Sequence, residues 1–509
     1  MARLGRRSLL RTATQVGAGV LAGVQSLGTH SIAQASSRTP ASSPVLTYIY
    51  AGSSDQKALP DVERALSALA MERISATVKL VTFDWGTFDQ KISLANAAGE
   101  KHDLYYTAPW INNYYTNIRQ EYLLKLEKLL PDLAPILWGS MTPDTWDAAR
   151  VGGSIYGAIN QQIFVKPFGP YIRADVAKDA GVEDAFRALT SYDDIGPIMA
   201  EVKKYIDSKQ GGFQYVTVAA NINATETFGY DVVDSGLVVK STDMAGKVGL
   251  YSDTLEYSRA ALTVRQWNEL GYTPSEPKTS SEQQDAWKAG LSTMMMSGVV
   301  KPGGDAEIKA RWGHDVISVA IAEPLLTTAG STATMTGVNS LSANPEAAVK
   351  FLELLNSDVR FYNTLCKGIE GVHWEWDDKA SLLIRPAGGK ASYADTGYNP
   401  NTDWQFGNVF NSYYTAKSQV GAWPATADLN RNARPSPLLG FTFDGKAVDT
   451  ERAACAAVAK EFGEPLTFGI VDPMTQIPAL NKALQAAGID RIRAEMQKQI
   501  DAWMAAKKR

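Results

Sequence analysis

Val45-Leu46-Thr47-Tyr48-Ile49-Tyr50, closed by Ala51-Gly52-Ser53-Ser54, begins the pattern that decides the fold. A short run rich in β-branched and aromatic residues, ended by small ones, predicts a strand and a loop. Pro60 suits the first turn of a helix, and Val62, Ala65, Leu66, Leu69 and Ala70 recur at three-and-four spacing on one face. Thr77 to Phe83 is again β-branched and apolar and ends in Asp84-Trp85-Gly86; Phe88, Ile92 and Ala95 then mark a second helix. Asp103 to Thr107 makes a third strand that stops at Pro109-Trp110. Strands alternating with helices predict an α/β fold with a parallel sheet and right-handed crossovers. Ligands of such sheets bind beyond the carboxyl ends of the strands. Three post-strand loops bring Ser53, Ser54, Trp85, Trp110 and Asn112 to that edge.

The whole chain has 509 residues, more than one hydrophobic core accommodates, so at least two packed domains are expected. Apolar residues at 45% and charged residues at 20% exclude a disordered, collagen-like or coiled-coil chain. The formal charge is −4, and the residues after position 35 carry 46 basic against 54 acidic groups, a balance of −8 that disfavours nucleic acid as a partner. Trp and Tyr together number 33 against 15 Phe, which tilts the aromatics toward rings with a polar handle and a wet aromatic surface.

Arg3, Arg6, Arg7 and Arg11 precede a stretch from Thr12 to Ile32 without charged residues, which ends in Ala33-Gln34-Ala35. This reads as a signal peptide over 1–35, and Gly5 to Arg11 resembles the twin-arginine export motif. Three glycines and two glutamines in its middle dilute the segment below what a permanent membrane span needs. The expectation is a periplasmic protein, exported by a twin-arginine signal and cleaved after Ala35. Only Cys366 and Cys455 are present, so a disulfide framework and a Cys-rich metal site are both excluded, and two buried free thiols are expected over one bridge. Beyond the signal only His102, His314 and His373 occur, without metal-ligand spacing, so neither cofactor nor metal is expected.

Gly152 to Asn160 reads as a turn feeding a strand that ends in Asn160-Gln161-Gln162, and a second domain begins near 160. Tyr156 stands where a hydrolase nucleophile elbow requires its second glycine. Met294-Met295-Met296 fits a core strand. Another strand follows between Thr334 and Leu341, then a helix opened by Asn344 and Pro345. The tail from Thr475 is helical by composition, with Lys and Arg at its end.

Four stretches in this order resemble one family, the extracellular solute-binding proteins of ABC importers, in its large oligosaccharide-type branch. FDWGTFDQKISLANAAGEKHDLYYTAPWINNYY, from Phe83, is similar to the amino-terminal lobe, where a like pattern precedes a Trp-bearing ligand loop. VGGSIYGAINQQ, from Val151, resembles the crossover strand but has Ser154 for Lys and Ile159 for Pro. WKAGLSTMMMSG, from Trp287, resembles a strand of the second lobe. ANPEAAVKFLELLNSDVRFYNTLCKGIEGVHWEW, from Ala343, together with DWQFGNVFNSYY, from Asp403, is the most specific match.

The resemblance implies a type II periplasmic-binding-protein fold, with a ligand cleft between two lobes joined by hinge strands. Lobe 1 is expected over 36–160 and 330–400, and lobe 2 over 161–329 and 401–509. It implies a monomeric, non-enzymatic receptor that captures a carbohydrate by hinge closure and presents it to ABC permease membrane subunits. Sugar rings have apolar faces that stack on indoles, and hydroxyls that need paired donors and acceptors. The expected ligand-binding residues are Ser53, Ser54, Trp85, Trp110, Asn112 and Tyr114 on the first lobe, and Asn160, Gln161 and Gln162 at the crossover. Ser297 is expected on the second lobe, and Glu370, His373 and Trp404 on the remaining wall. The departures at the crossover leave sugar size and charge open. A secreted carbohydrate-active hydrolase is the alternative, since Asp84, Glu370 and Asp403 are available, although nothing in the spacing pairs two carboxylates across a bond.

Overall fold

The computed structural model describes residues 43–52, 56–165, 167–209, 212–220, 222 and 225–507. The export signal and its cleavage point lie outside them, as do Ser53 and Ser54. The opening pattern folds as its periodicity requires. Val45–Ala51 pairs in parallel with Thr77–Phe83 on one side and with Leu104–Thr107 on the other, so that Tyr48 stands opposite both Leu80 and Leu104. Met335–Val338 adds antiparallel to Leu104–Thr107, and Gly157–Ile159 closes the five-stranded sheet. The strand order reverses around Val45–Ala51, which creates a crevice at the carboxyl ends of the parallel strands.

Burial explains the stability of this lobe. Helix Leu59–Ile74, with Pro60 in its first turn, turns Val62, Leu66, Leu69 and Ala70 inward. Helix Pro345–Ser357 buries Ala348, Val349, Phe351, Leu352, Leu354 and Leu355 in the same core. Phe406 packs edge-on against Tyr48 and Tyr50, with ring centroids 6.0 Å and 4.9 Å away. It belongs to the core of the first sheet, so the expected boundary at 400 is displaced: residues 405 and 406 belong to lobe 1, not lobe 2. A lone Phe in a polar loop has no periodicity to report its burial; the gap between two tyrosines fixes its place.

The second sheet has the order Val316–Ser318, Phe168–Arg173, Ser292–Val299, Tyr215–Thr217. Its core takes Met294 and Met296, both fully buried, as the alternation predicts. A further core joins the Tyr230–Asp234 and Leu237–Lys240 hairpin to helices Pro473–Ala486 and Ile489–Lys507. Cys366 and Cys455 are both free and buried, and they belong to different cores. Among the described residues no helix is long and apolar enough to cross a membrane.

Three chain segments run between the lobes and hold one another. Asn430 accepts from the Phe164 amide at 2.8 Å and donates to the Gln162 carbonyl at 2.6 Å. Leu325–Leu326 pairs in parallel with Arg434–Pro435. A close approach lies at Gly330, where a Cβ would stand 2.2 Å from the Phe164 carbonyl oxygen. Gly330→Ala must push two connecting segments apart, since that nearest atom is backbone rather than a flexible side-chain end. We expect a loss of about 2 kcal/mol in denaturant unfolding, and a changed small-angle scattering profile as the lobes readjust.

Candidate ligand-binding site

Trp85 opens helix Trp85–Ala97 directly after the second parallel strand, and Trp110 follows the third, so both indoles stand at the crevice edge. Trp404 reaches the same edge from far along the chain. Its neighbour Gln405 is fully buried; its Oε1 accepts from the Ala51 amide at 2.9 Å, and its Nε2 donates to the Ala51 carbonyl at 2.7 Å. This pair of hydrogen bonds to the end of the first strand sets Trp404 over the crevice. Trp85 and Trp404 stack at 5.6 Å and 19°, Trp85 and Trp110 at 6.1 Å and 18°. Trp110 remains 57% exposed despite donating from Nε1 to the Ala333 carbonyl. An indole that exposed, held by a buried partner network, is a surface built for contact rather than a core side chain.

Trp404 also borders a cavity of about 310 Å³ between the lobes. Gln162 and Lys367 line it from the crossover and the first lobe, and Lys301, Glu307 and Arg311 from the second, with Tyr413 and Trp423 completing the aromatic wall. A second cavity, about 730 Å³, is bounded by Pro109 and Asn113, by Thr328 of a connecting segment, and by Asp234 and Arg452 beyond it. Trp110 adjoins Pro109 and touches Trp404 at 6.3 Å, so the indole cluster lies between the two cavities.

Five of the expected ligand residues are instead consumed inside the protein. Asn112 is buried at positive φ, donating to the Tyr106 carbonyl and accepting from Asn117. Tyr114 is fully buried and donates to the Ala149 carbonyl at 2.7 Å. Asn160 donates to the Gln405 carbonyl and accepts from Thr336, while Gln161 donates to Asn356. His373 is buried, and its Nδ1 accepts from the Ile369 amide at 2.9 Å. Gly368, at φ +81°, curls around that ring so closely that a Cβ would stand 2.6 Å from Nδ1. Asn112, Tyr114, Asn160 and Gln161 are spent on these internal bonds and have little left to offer a ligand; His373 differs, since its buried Nε2 has no hydrogen-bond partner among the described residues. Glu370 is exposed and accepts from the Trp376 indole at 2.9 Å, and it does not border either cavity described. Ser297 is half-buried beside Tyr192. Gln162 is retained: it lines the smaller cavity while donating to Thr334.

Sequence reasoning missed Lys301, Arg311, Lys367, Tyr413 and Trp423. Tyr413 and Trp423 were detectable as part of the Trp- and Tyr-rich region, but the lysines and Arg311 carry no periodic signal. Lys367 and Asp403 form a buried ion pair at the cavity wall, and Lys301 pairs with Glu307 at 2.9 Å. Among the described residues no group of three or more His, Cys, Asp or Glu side chains could hold a metal ion.

His373 and His102 share one electrostatic condition: burial lowers both below the ordinary histidine value. The unfolded chain protonates each near pH 6.5, whereas the folded chain does so only at lower pH, so unfolding takes up protons in between. The stability conferred by keeping both rings neutral is complete above about pH 6.5 and is lost as pH falls toward the folded values. We expect the melting temperature to drop between pH 7 and pH 5, with a shallower drop in His373→Gln.

The chain is 22% identical over 444 residues, 86% of each sequence, to a Streptococcus pneumoniae protein described as a carbohydrate ABC transporter substrate-binding protein. It superposes on the crystal structure of NgtS, an N-glycan transport solute-binding protein of that organism, with a TM-score of 0.78 at 20% identity, covering 91% of this chain and 100% of the other. The chain has the fold of an ABC-importer solute-binding protein. The NgtS complex with Man5GlcNAc matches with a TM-score of 0.68 at 20% identity, covering 91% and 99%. Residues 437–505 also match a family model described as a domain of unknown function, DUF3502, which coincides with the helical part of the second lobe.

The relatives correct the expected location. Streptococcus pneumoniae is Gram-positive and has no periplasm, and solute-binding proteins of such cells are held outside the membrane by a lipid anchor. The periplasmic assignment for this solute-binding fold is therefore withdrawn. An arginine-rich leader reports that a chain crosses a membrane; it does not report what compartment lies beyond.

Proposed function

We propose that this protein captures an oligosaccharide between its lobes by hinge closure and delivers it to the membrane subunits of an ABC permease. The observation that carries this reading is the stacked set of Trp85, Trp110 and Trp404 at the crevice edge, of which Trp404 borders an interlobe cavity. Indole faces take the apolar faces of pyranose rings. Ligand contacts come from Trp85, Trp110, Trp404 and Gln162 together with Tyr413 and Trp423; Ser53 and Ser54 belong to the same edge by sequence. The names of the relatives, a carbohydrate substrate-binding protein and an N-glycan transport protein, support the same class of ligand.

Closure requires the ligand to bind the closed arrangement more tightly, which happens only when both lobes touch it. The cavity meets that condition, since its wall is drawn from both lobes. The hydrolase alternative fits less well: Glu307 and Asp403, the carboxylates at the cavity, are each committed to a lysine. A glycosidase needs one carboxyl free to hand its proton to the leaving oxygen.

Calorimetry of the protein against mono- and oligosaccharides, with chromatography of the mixtures, tests the reading. One-to-one binding with the sugar recovered intact is expected. Release of shorter sugars would overturn it in favour of the hydrolase.

A further inference from the structure

The small interlobe cavity has an uneven charge. Lys301, Arg311 and Lys367 face it together with Glu307 and Asp403, three cations against two anions, in a chain whose overall charge is −4. Two of the cations are already neutralised within the protein, Lys367 by Asp403 and Lys301 by Glu307. Arg311 is left over. It is exposed, it stands on helix Gly304–Trp312 one turn beyond Glu307, and among the described residues no carboxylate pairs with it. The cavity wall thus includes a single uncommitted guanidinium, from the second lobe, together with the indole of Trp404 from the first.

We propose that the cavity recognises an acidic sugar residue, with Arg311 binding its carboxylate while the ring lies on Trp404. This rests on the oligosaccharide reading above and narrows it to anionic carbohydrates. The guanidinium fork matches a planar carboxylate with two parallel hydrogen bonds, a match that a lysine does not offer. The placement also supplies the closing force. Arg311 belongs to the second lobe and Trp404 to the first, so a sugar acid held by both rewards only the closed arrangement. A sulfate ester presents the same charge in a tetrahedral group, which the fork matches less well.

The test uses matched probes on the full chain: tetragalacturonate against its fully methyl-esterified form, 3′-sialyllactose against lactose, and a sulfated lactose against the same lactose, each by calorimetry. The acidic member of at least one carboxylate pair is expected to bind about tenfold or more tightly, with a preference that shrinks as salt is raised. Arg311→Gln should abolish the preference, and Arg311→Lys should retain only part of it; circular dichroism confirms that both variants are folded. A preference for the sulfated member alone would overturn the carboxylate assignment. Equal binding of neutral and acidic members, or a preference that survives Arg311→Gln, would overturn the inference and leave the oligosaccharide reading standing. Failure of every acidic and neutral sugar to bind would overturn both.

Discussion

Trp404→Ala is expected to weaken oligosaccharide binding by ten- to a hundredfold, roughly 1–3 kcal/mol of lost aromatic burial, while the protein still folds. Trp404 is half-buried, and its ring contacts Trp85 at 5.6 Å and Trp110 at 6.3 Å, so its removal strips the centre of the aromatic surface. Gln405, which anchors the segment to Ala51, is untouched by the change, and the backbone has no reason to move. Trp404→Phe should recover part of the loss because a smaller aromatic face remains. Calorimetry with a bound sugar gives the affinity, and the melting curve shows whether the fold survives. The contrast is Tyr114→Phe, at a residue that sequence alone assigns to the ligand. Its hydroxyl donates to Ala149 in the core, so we expect about 1 kcal/mol less stability and unchanged affinity. Normal binding by Trp404→Ala would remove the indole cluster from the site and with it the main support for the sugar reading.

Lys367→Met is expected to cost about 3 kcal/mol of stability, the largest effect at any single position in this wall. The side chains of Lys367 and Asp403 are only 12% and 16% exposed, and the ammonium is the sole cation on that carboxylate among the described residues. Ser412 continues to donate to Asp403 at 2.5 Å, which softens the loss without replacing the charge. Much of the cost is the carboxylate left behind in a place poor in water, rather than the strength of the pair itself. The double variant Lys367→Met with Asp403→Leu should therefore be more stable than Lys367→Met alone. Denaturant unfolding of the four members of this cycle measures the coupling, and additivity would show that the pair is solvated and structurally idle. Asp403 adjoins Trp404, so the single variant should also bind sugar less tightly as the loop shifts.

The first sheet was readable before any coordinates because its evidence is local. Val45–Ala51 and Thr77–Phe83 carry their strand character in consecutive residues, and Val62, Leu66 and Leu69 carry the helix between them in their spacing. Trp85 and Trp110 were readable for the same reason: each directly follows a strand in a parallel sheet, and strand ends are where such folds bind. Trp404 was reached only through resemblance, and its partner Gln405 and the core residue Phe406 gave no sign of their roles. The internal hydrogen bonds of Asn112, Tyr114, Asn160 and Gln161 were not legible for a consistent reason. A polar residue beside a predicted cleft has the same composition whether its hydrogen bonds go to a sugar or to Tyr106, Ala149, Gln405 and Asn356.

Sequence by itself therefore determined the α/β alternation, the three parallel strands and the loops that follow them, since each follows from the order of apolar residues along the chain. Tertiary structure alone decided which polar side chains are spent internally, that Phe406 joins the core of the first sheet, and that Arg311 and Trp404 line one cavity, with no carboxylate paired to Arg311 among the described residues. Those facts depend on pairs of residues far apart in the chain. Whether a donor or a charge is free is a property of the neighbour that folding brings to it, and no local pattern records the neighbour.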